Sequence, residues 1–145
     1  LLKLSKEDED AGNLLLEQNR YRHSCYFFVQ AMEKFVRYAI FKKVNASNEW
    51  FIDKTRTHNL DDLLEFLIEI VSTKEAIREQ VKLQLDQFVL NGVRFGQLHN
   101  ELRYPLFNLK TKQYTILDIE KIDAEHSKKK LNDLKIFLRD IEKLR

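Results

Sequence analysis

The chain has 145 residues, 43% of them apolar and 33% charged, and a net charge of +2. That length and composition exclude a disordered chain and suit one domain, 1–145, large enough to bury its own core. Three glycines and one proline are too few for a sandwich, a barrel or a doubly wound sheet, whereas a helical bundle needs few turn residues.

Ser5-Lys-Glu-Asp8 reads as a helix start, a hydroxyl cap followed by acids that meet the helix dipole. This first helix runs to about Gln18. A second begins near Tyr21 and carries Cys25, Phe28, Val29, Met32, Val36, Ala39 and Ile40 in steps of three and four, a stripe through about six turns. Phe27 and Phe35 add burial on further faces, so this is the central helix. Asn45 to Asn48 breaks the pattern, and the stretch to His58 reads as a loop with Trp50, Phe51 and Ile52 tucked against the bundle. A third helix spans Leu60 to Val71, with Thr57 as a plausible cap. Ser72-Thr-Lys-Glu75 reads as a capping box opening a fourth helix. That helix continues towards Tyr104 and stops at Pro105, because the residue before a proline resists helical geometry. Leu106 to Thr115 is a loop with room for a short extended piece. A last helix runs from about Ile116 to Leu144 around the seam Leu131, Leu134, Leu138 and Ile141. The expected fold is all-α, an up-and-down bundle of about five helices.

Several chemistries are excluded or unsupported. The small net charge gives no nucleic-acid footprint by itself, and the late basic residues Lys128, Lys129, Lys130, Lys135, Arg139, Lys143 and Arg145 read as a solvated helix face. Cys25 is the only cysteine; no internal disulfide is possible, a reducing and cytoplasmic setting is expected, and an apolar context makes Cys25 a core residue. No apolar run reaches the ~20 residues of a membrane span. The four histidines lack a close carboxylate or cysteine set, so neither metal nor cofactor is expected. There is no Gly-rich phosphate loop, dinucleotide fingerprint or nucleophile elbow.

The end of the fourth helix stands apart. Gly92 and Gly96 interrupt a helical pattern at about 1 kcal/mol each relative to alanine, a cost tolerated where a backbone or a ligand comes close. At about 100° per residue, Gly92, Gly96, His99 and Arg103 share one face. Arg103 offers a planar fork for phosphate or carboxylate and His99 titrates near neutrality, so an anionic ligand fits there. Alternatively, the glycines admit a neighbouring helix and the two cations pair with Glu101 or Asp86. Arg94 and His99 lie about 140° apart on an ideal helix; one chain would not aim both at one phosphodiester, but two chains crossing here would pool two of each.

Ala11-Gly-Asn-Leu-Leu-Leu-Glu17, Tyr21 and Cys25-Tyr-Phe-Phe-Val-Gln-Ala-Met-Glu-Lys34 together resemble the opening helical pair of HEPN domains. Gln30-Ala-Met-Glu-Lys34 is similar to that family's Gln-Ala-x-Glu-Lys signature, Thr57-His-Asn-Leu60 to its Thr-His-x-Leu, and Arg103-Tyr-Pro105 to its Arg-Tyr-Pro ending. The resemblance spans the whole chain. It implies a bundle of about five helices that forms a homodimer and binds a nucleotide, RNA or partner protein through Gly92, Gly96, His99, Arg103 and Tyr104. It also implies a toxin–antitoxin system with a minimal nucleotidyltransferase partner, for which Tyr104 is a candidate acceptor. Some family members are instead metal-independent endoribonucleases with an Arg, four to six residues, then His. Arg94-Phe-Gly-Gln-Leu-His99 fits that spacing, which makes Arg94 and His99 the catalytic pair under an RNase reading.

Overall fold

A computed structural model describes residues 1–44 and 47–143. Its helices are α1 (Leu2–Glu17), α2 (Tyr21–Lys43), α3 (Glu49–Thr55), α4 (Leu60–Val71), α5 (Glu75–Leu85), α6 (Phe95–Arg103) and α7 (Lys121–Ile141). A π-helical turn, Asp86–Leu90, extends α5, and two short strands, β1 (Leu106–Asn108) and β2 (Gln113–Thr115), pair antiparallel. The all-α bundle is as expected; α3 is a short addition to it, and α6 is the detached end of the expected fourth helix.

The apolar stripe of α2 is the axis of the molecule. Phe28, Met32, Val36 and Ile40 are fully buried along it, and it packs against α1, α4, α6 and α7. Truncating any of these side chains costs roughly 2–5 kcal/mol. Cys25 is buried in the same core, and burial pushes its thiol pKa up, as a core cysteine requires.

Several expected ends differ. Ser5 does not cap α1, which begins at Leu2. Its hydroxyl is buried and donates to the Ala31 carbonyl at 2.7 Å, because a cross-helix partner satisfies it where water cannot reach. The acids of α1 likewise serve tertiary pairing: Asp8 binds Lys34 and Glu9 binds Lys135. Lys135 is therefore no part of a solvated basic face, nor is Lys130, whose ammonium donates to the Val89 and Leu90 carbonyls at 2.9 and 3.1 Å. The segment containing Trp50, Phe51 and Ile52 is the helix α3, capped by Asn48, with Trp50 packed edge-on against Phe51 and Phe66 although half exposed.

Asn59, not Thr57, caps α4 by accepting from the Asp61 amide at 2.9 Å, and Thr57, two residues earlier, accepts from Asn59 N. Ser72 accepts from Lys74 N at 3.1 Å, leaving α5 without a side-chain cap. The final helix starts only at Lys121, where Glu120 and Asp123 form the reciprocal capping box. Its end as read from the sequence, Leu144, lies outside the described residues, as do Asn45 and Arg145.

The largest departure is in the expected fourth helix, which breaks. After the π turn, Asn91 (φ 49°) and Gly92 (φ 79°) are both left-handed, and Asn91 N closes on the Asp86 carbonyl at 2.7 Å. An Asn–Gly pair adopts that conformation at little cost, and a helix ends there. Lys130 donates to the Val89 and Leu90 carbonyls at the break, the latter also accepting from Val93 N at 2.9 Å. The chain then restarts as α6.

Candidate functional site

The break removes the single face expected for Gly92, Gly96, His99 and Arg103. Gly92 sits in an exposed turn before α6, and only the other three lie on that helix. Gly96 does admit a neighbour, the first turn of α4. A methyl group on it would stand 2.5 Å from Asn59 Oδ1. At this point the Asp61 carboxylate accepts from Phe95 N at 3.0 Å and from Gly96 N at 2.9 Å. The N-terminus of α6 is thus already occupied by an acid of the same chain, which satisfies two orphan donors and meets the dipole. Phe95, fully buried, anchors the start of the helix.

One turn further on, a polar cluster forms where α6 crosses α2. Tyr26, Gln30 and Glu33 fall on one face of α2 by their spacing of four and three. The His99 ring stacks on Tyr26, with centroids 5.4 Å apart and planes at 28°. Its Nδ1 is 3.3 Å from the Gln30 amide and its Nε2 is 3.3 Å from Arg103 Nη1. A guanidinium only donates, so Nε2 is the acceptor and the ring proton resides on Nδ1. The Gln30 amide nitrogen is placed at Nδ1, so a proton there requires the amide exchanged end for end, an assignment by donor and acceptor logic. Burial, and then the Arg103 charge, hold the His99 pKa below its ordinary value, against the opposing pull of Glu33. His99 is neutral at pH 7.

Glu33 supports the cluster from below. It is buried, and it accepts from Arg37 at 3.1 Å and lies 3.4 Å from His58 Nδ1. Arg37 in turn donates to the Thr55 and Thr57 carbonyls, fixing the entry to α4 that carries His58. The His58 side chain is otherwise open to solvent, 89% exposed. Arg103 is exposed and lies over the Tyr104 ring at 5.2 Å, presenting its guanidinium beside an exposed aromatic. Neither Glu101 nor Asp86 pairs with His99 or Arg103; Glu101 accepts from Gln97 at 3.0 Å.

Arg94 is the N-cap residue of α6, exposed, and its side chain has no acid partner among the described residues. It lines a groove with Asp61, Asp86 and Gly92, away from the His99 cluster. Helical spacing singled out His99 and Arg103, and the family resemblance singled out Tyr104. Neither found Tyr26, Gln30 and Glu33 as their neighbours, although Gln30 and Glu33 stand in the signature on α2. His23 and His126 are exposed. Among the described residues no three His, Cys, Asp or Glu side chains cluster as a metal site would need, and no helix is long and apolar enough to cross a membrane.

The three signature segments, Gln30 to Lys34, Thr57 to Leu60 and Arg103 to Pro105, are thus linked through Gln30–His99, Glu33–His58 and Arg103–His99. Residues 1–144 match the HEPN domain family, and the chain belongs to it. That membership points to a nucleotide- or RNA-related role. No curated protein and no solved structure matches the chain.

Proposed function

We propose that the chain acts as a homodimeric HEPN module binding a phosphate-bearing ligand, a nucleotide or RNA, at the Arg103 end of α6. The supporting observation is the pairing of Arg103 with a neutral His99. The guanidinium is exposed, has no carboxylate partner among the described residues, and is held beside the Tyr104 ring. A phosphate takes the fork bidentately and a base stacks on the ring. The setting is a toxin–antitoxin pair with a minimal nucleotidyltransferase. There the exposed Tyr104 hydroxyl serves as acceptor, and co-expression with the partner gives a nucleotidyl mass increment that Tyr104→Phe removes. Binding is tested with a labelled oligoribonucleotide and with ATP against Arg103→Ala; unchanged affinity for both rejects the site.

A second reading, a metal-independent endoribonuclease, draws on Arg94. It opens α6 exposed and unpaired among the described residues, five positions before a neutral imidazole. In a dimer, Arg94 of one copy would hold the scissile phosphate while His99 of the other moves the proton. Cleavage of RNA in EDTA, lost in both Arg94→Ala and His99→Ala, supports this reading. A His99→Ala chain that cleaves at the parental rate eliminates it.

A further inference from the structure

The chain carries two unpartnered surfaces at opposite ends of α6. At the C-terminal end, β1 and β2 form a hairpin in which every strand residue is exposed. Leu109 at its tip is 83% exposed, and Tyr114 and Ile116 are about as open, at 69% and 70%. From Tyr104 to Leu117 the chain has Lys110 and Lys112 and no acid. A two-stranded hairpin is marginal in water on its own, and a contiguous exposed apolar patch marks a contact surface.

At the N-terminal end lies a groove of about 780 Å³ between α4 and α5. Leu64, Ile68, Leu83, Leu90 and Val93 supply its apolar lining, and Asp62, Glu65, Glu79 and Asp86 outnumber the bases Lys82 and Arg94. The hairpin is apolar and basic; the groove is apolar and acidic. The two are complementary in both respects, yet α6 separates them by about 13 Å along its length.

We propose that the hairpin of one copy docks in the α4–α5 groove of a second copy, reciprocally about a twofold axis. Two α6 helices lying antiparallel bring each hairpin to the other's groove, so both contacts close in one assembly. Opposite charge fixes the pairing and its orientation. The arrangement rests on the homodimer of the proposed function and specifies how it is built. It also carries Arg103 of one copy towards Arg94 of the other, so that a phosphate between them is gripped by both chains.

The test is charge reversal at exposed side chains, with dissociation constants from light scattering and sedimentation. Glu65→Lys with Glu79→Lys, and separately Lys110→Glu with Lys112→Glu, each weaken the dimer by at least about tenfold. Circular dichroism confirms that both variants remain folded. Mixing the two variants restores a dimer of wild-type affinity, since each hairpin again meets a groove of opposite sign. A wild-type dimer that neither variant weakens overturns the hairpin contact and leaves the homodimer standing. A mixture that stays monomeric overturns the contact as well. A wild-type chain that is monomeric at every concentration removes both.

Discussion

Arg103 donates to Nε2 of His99 across 3.3 Å, one helical turn along α6, and so puts a permanent cation against an imidazole whose charging it disfavours. The arrangement sets a protonation state. The His99 pKa lies below its ordinary value of 6.5, through burial first and Arg103 second. Because the unfolded chain binds the proton more readily, stability is full above the unfolded pKa and falls as pH drops through the folded one. Thermal melts between about pH 7.5 and about pH 5 should show this loss, and His99→Gln should flatten it. Arg103→Ala should move the His99 titration upward in a ¹³C or ¹⁵N NMR experiment. A titration that stays put would show that Arg103 does not act on the ring.

Asp61 fastens the start of α6 to α4 through both carboxylate oxygens. Asp61→Asn keeps one acceptor but turns an amide donor towards a backbone N–H. A loss of about 1–2 kcal/mol in urea unfolding is expected, the magnitude of a lost helix cap. Amide exchange at Phe95 and Gly96 should accelerate more than at residues of α2.

Gly96 and Gly92 fail differently on mutation to alanine. At Gly96 the new methyl meets the Asn59 side chain at 2.5 Å. Asn59 is not free to move, since it caps α4 through Asp61 N. Gly96→Ala should cost roughly 1–3 kcal/mol, the scale of overpacking. Gly92 has open space around it but a φ of 79°. Gly92→Ala should therefore cost about 1 kcal/mol through backbone strain alone, and Gly92→Asn less. Equal costs for Gly92→Ala and Gly92→Asn would argue against the strain account.

Glu33 and Arg37 form an ion pair whose side chains are 10% and 15% exposed. Glu33→Ala leaves a partly buried guanidinium with only the Thr55 and Thr57 carbonyls and should cost roughly 3 kcal/mol or less. The exposed pair Lys6–Asp10, with both side chains more than 60% open, is the control. Asp10→Ala should leave the unfolding midpoint unchanged within error.

The limits of α4, Leu60 to Val71, were legible in the sequence because a strong apolar stripe ended at polar residues on both sides. The axis α2 was legible for the same reason. The break at Asn91–Gly92 was not, because apolar residues continue at Val89, Leu90, Val93 and Phe95 and carry the helical period across the turn. His99 and Arg103 were found by their spacing of four. Their neighbours Tyr26, Gln30 and Glu33 come from the crossing of α2 and α6, a contact 69 residues apart for Gln30 and His99, which no local pattern encodes. Ser5 misled as a cap because a hydroxyl serves equally as a staple between helices, and only the packing decides which.

The central claim is that the exposed Arg103 guanidinium, braced by a neutral His99, takes a phosphate. Fluorescence anisotropy of a labelled oligoribonucleotide, titrated with the wild-type chain and with Arg103→Ala at fixed salt, tests it most directly. The account predicts at least about a tenfold weaker affinity for the variant, on the scale of a lost charge-assisted bidentate contact, with melting temperature unchanged. Equal affinity for both chains would contradict it.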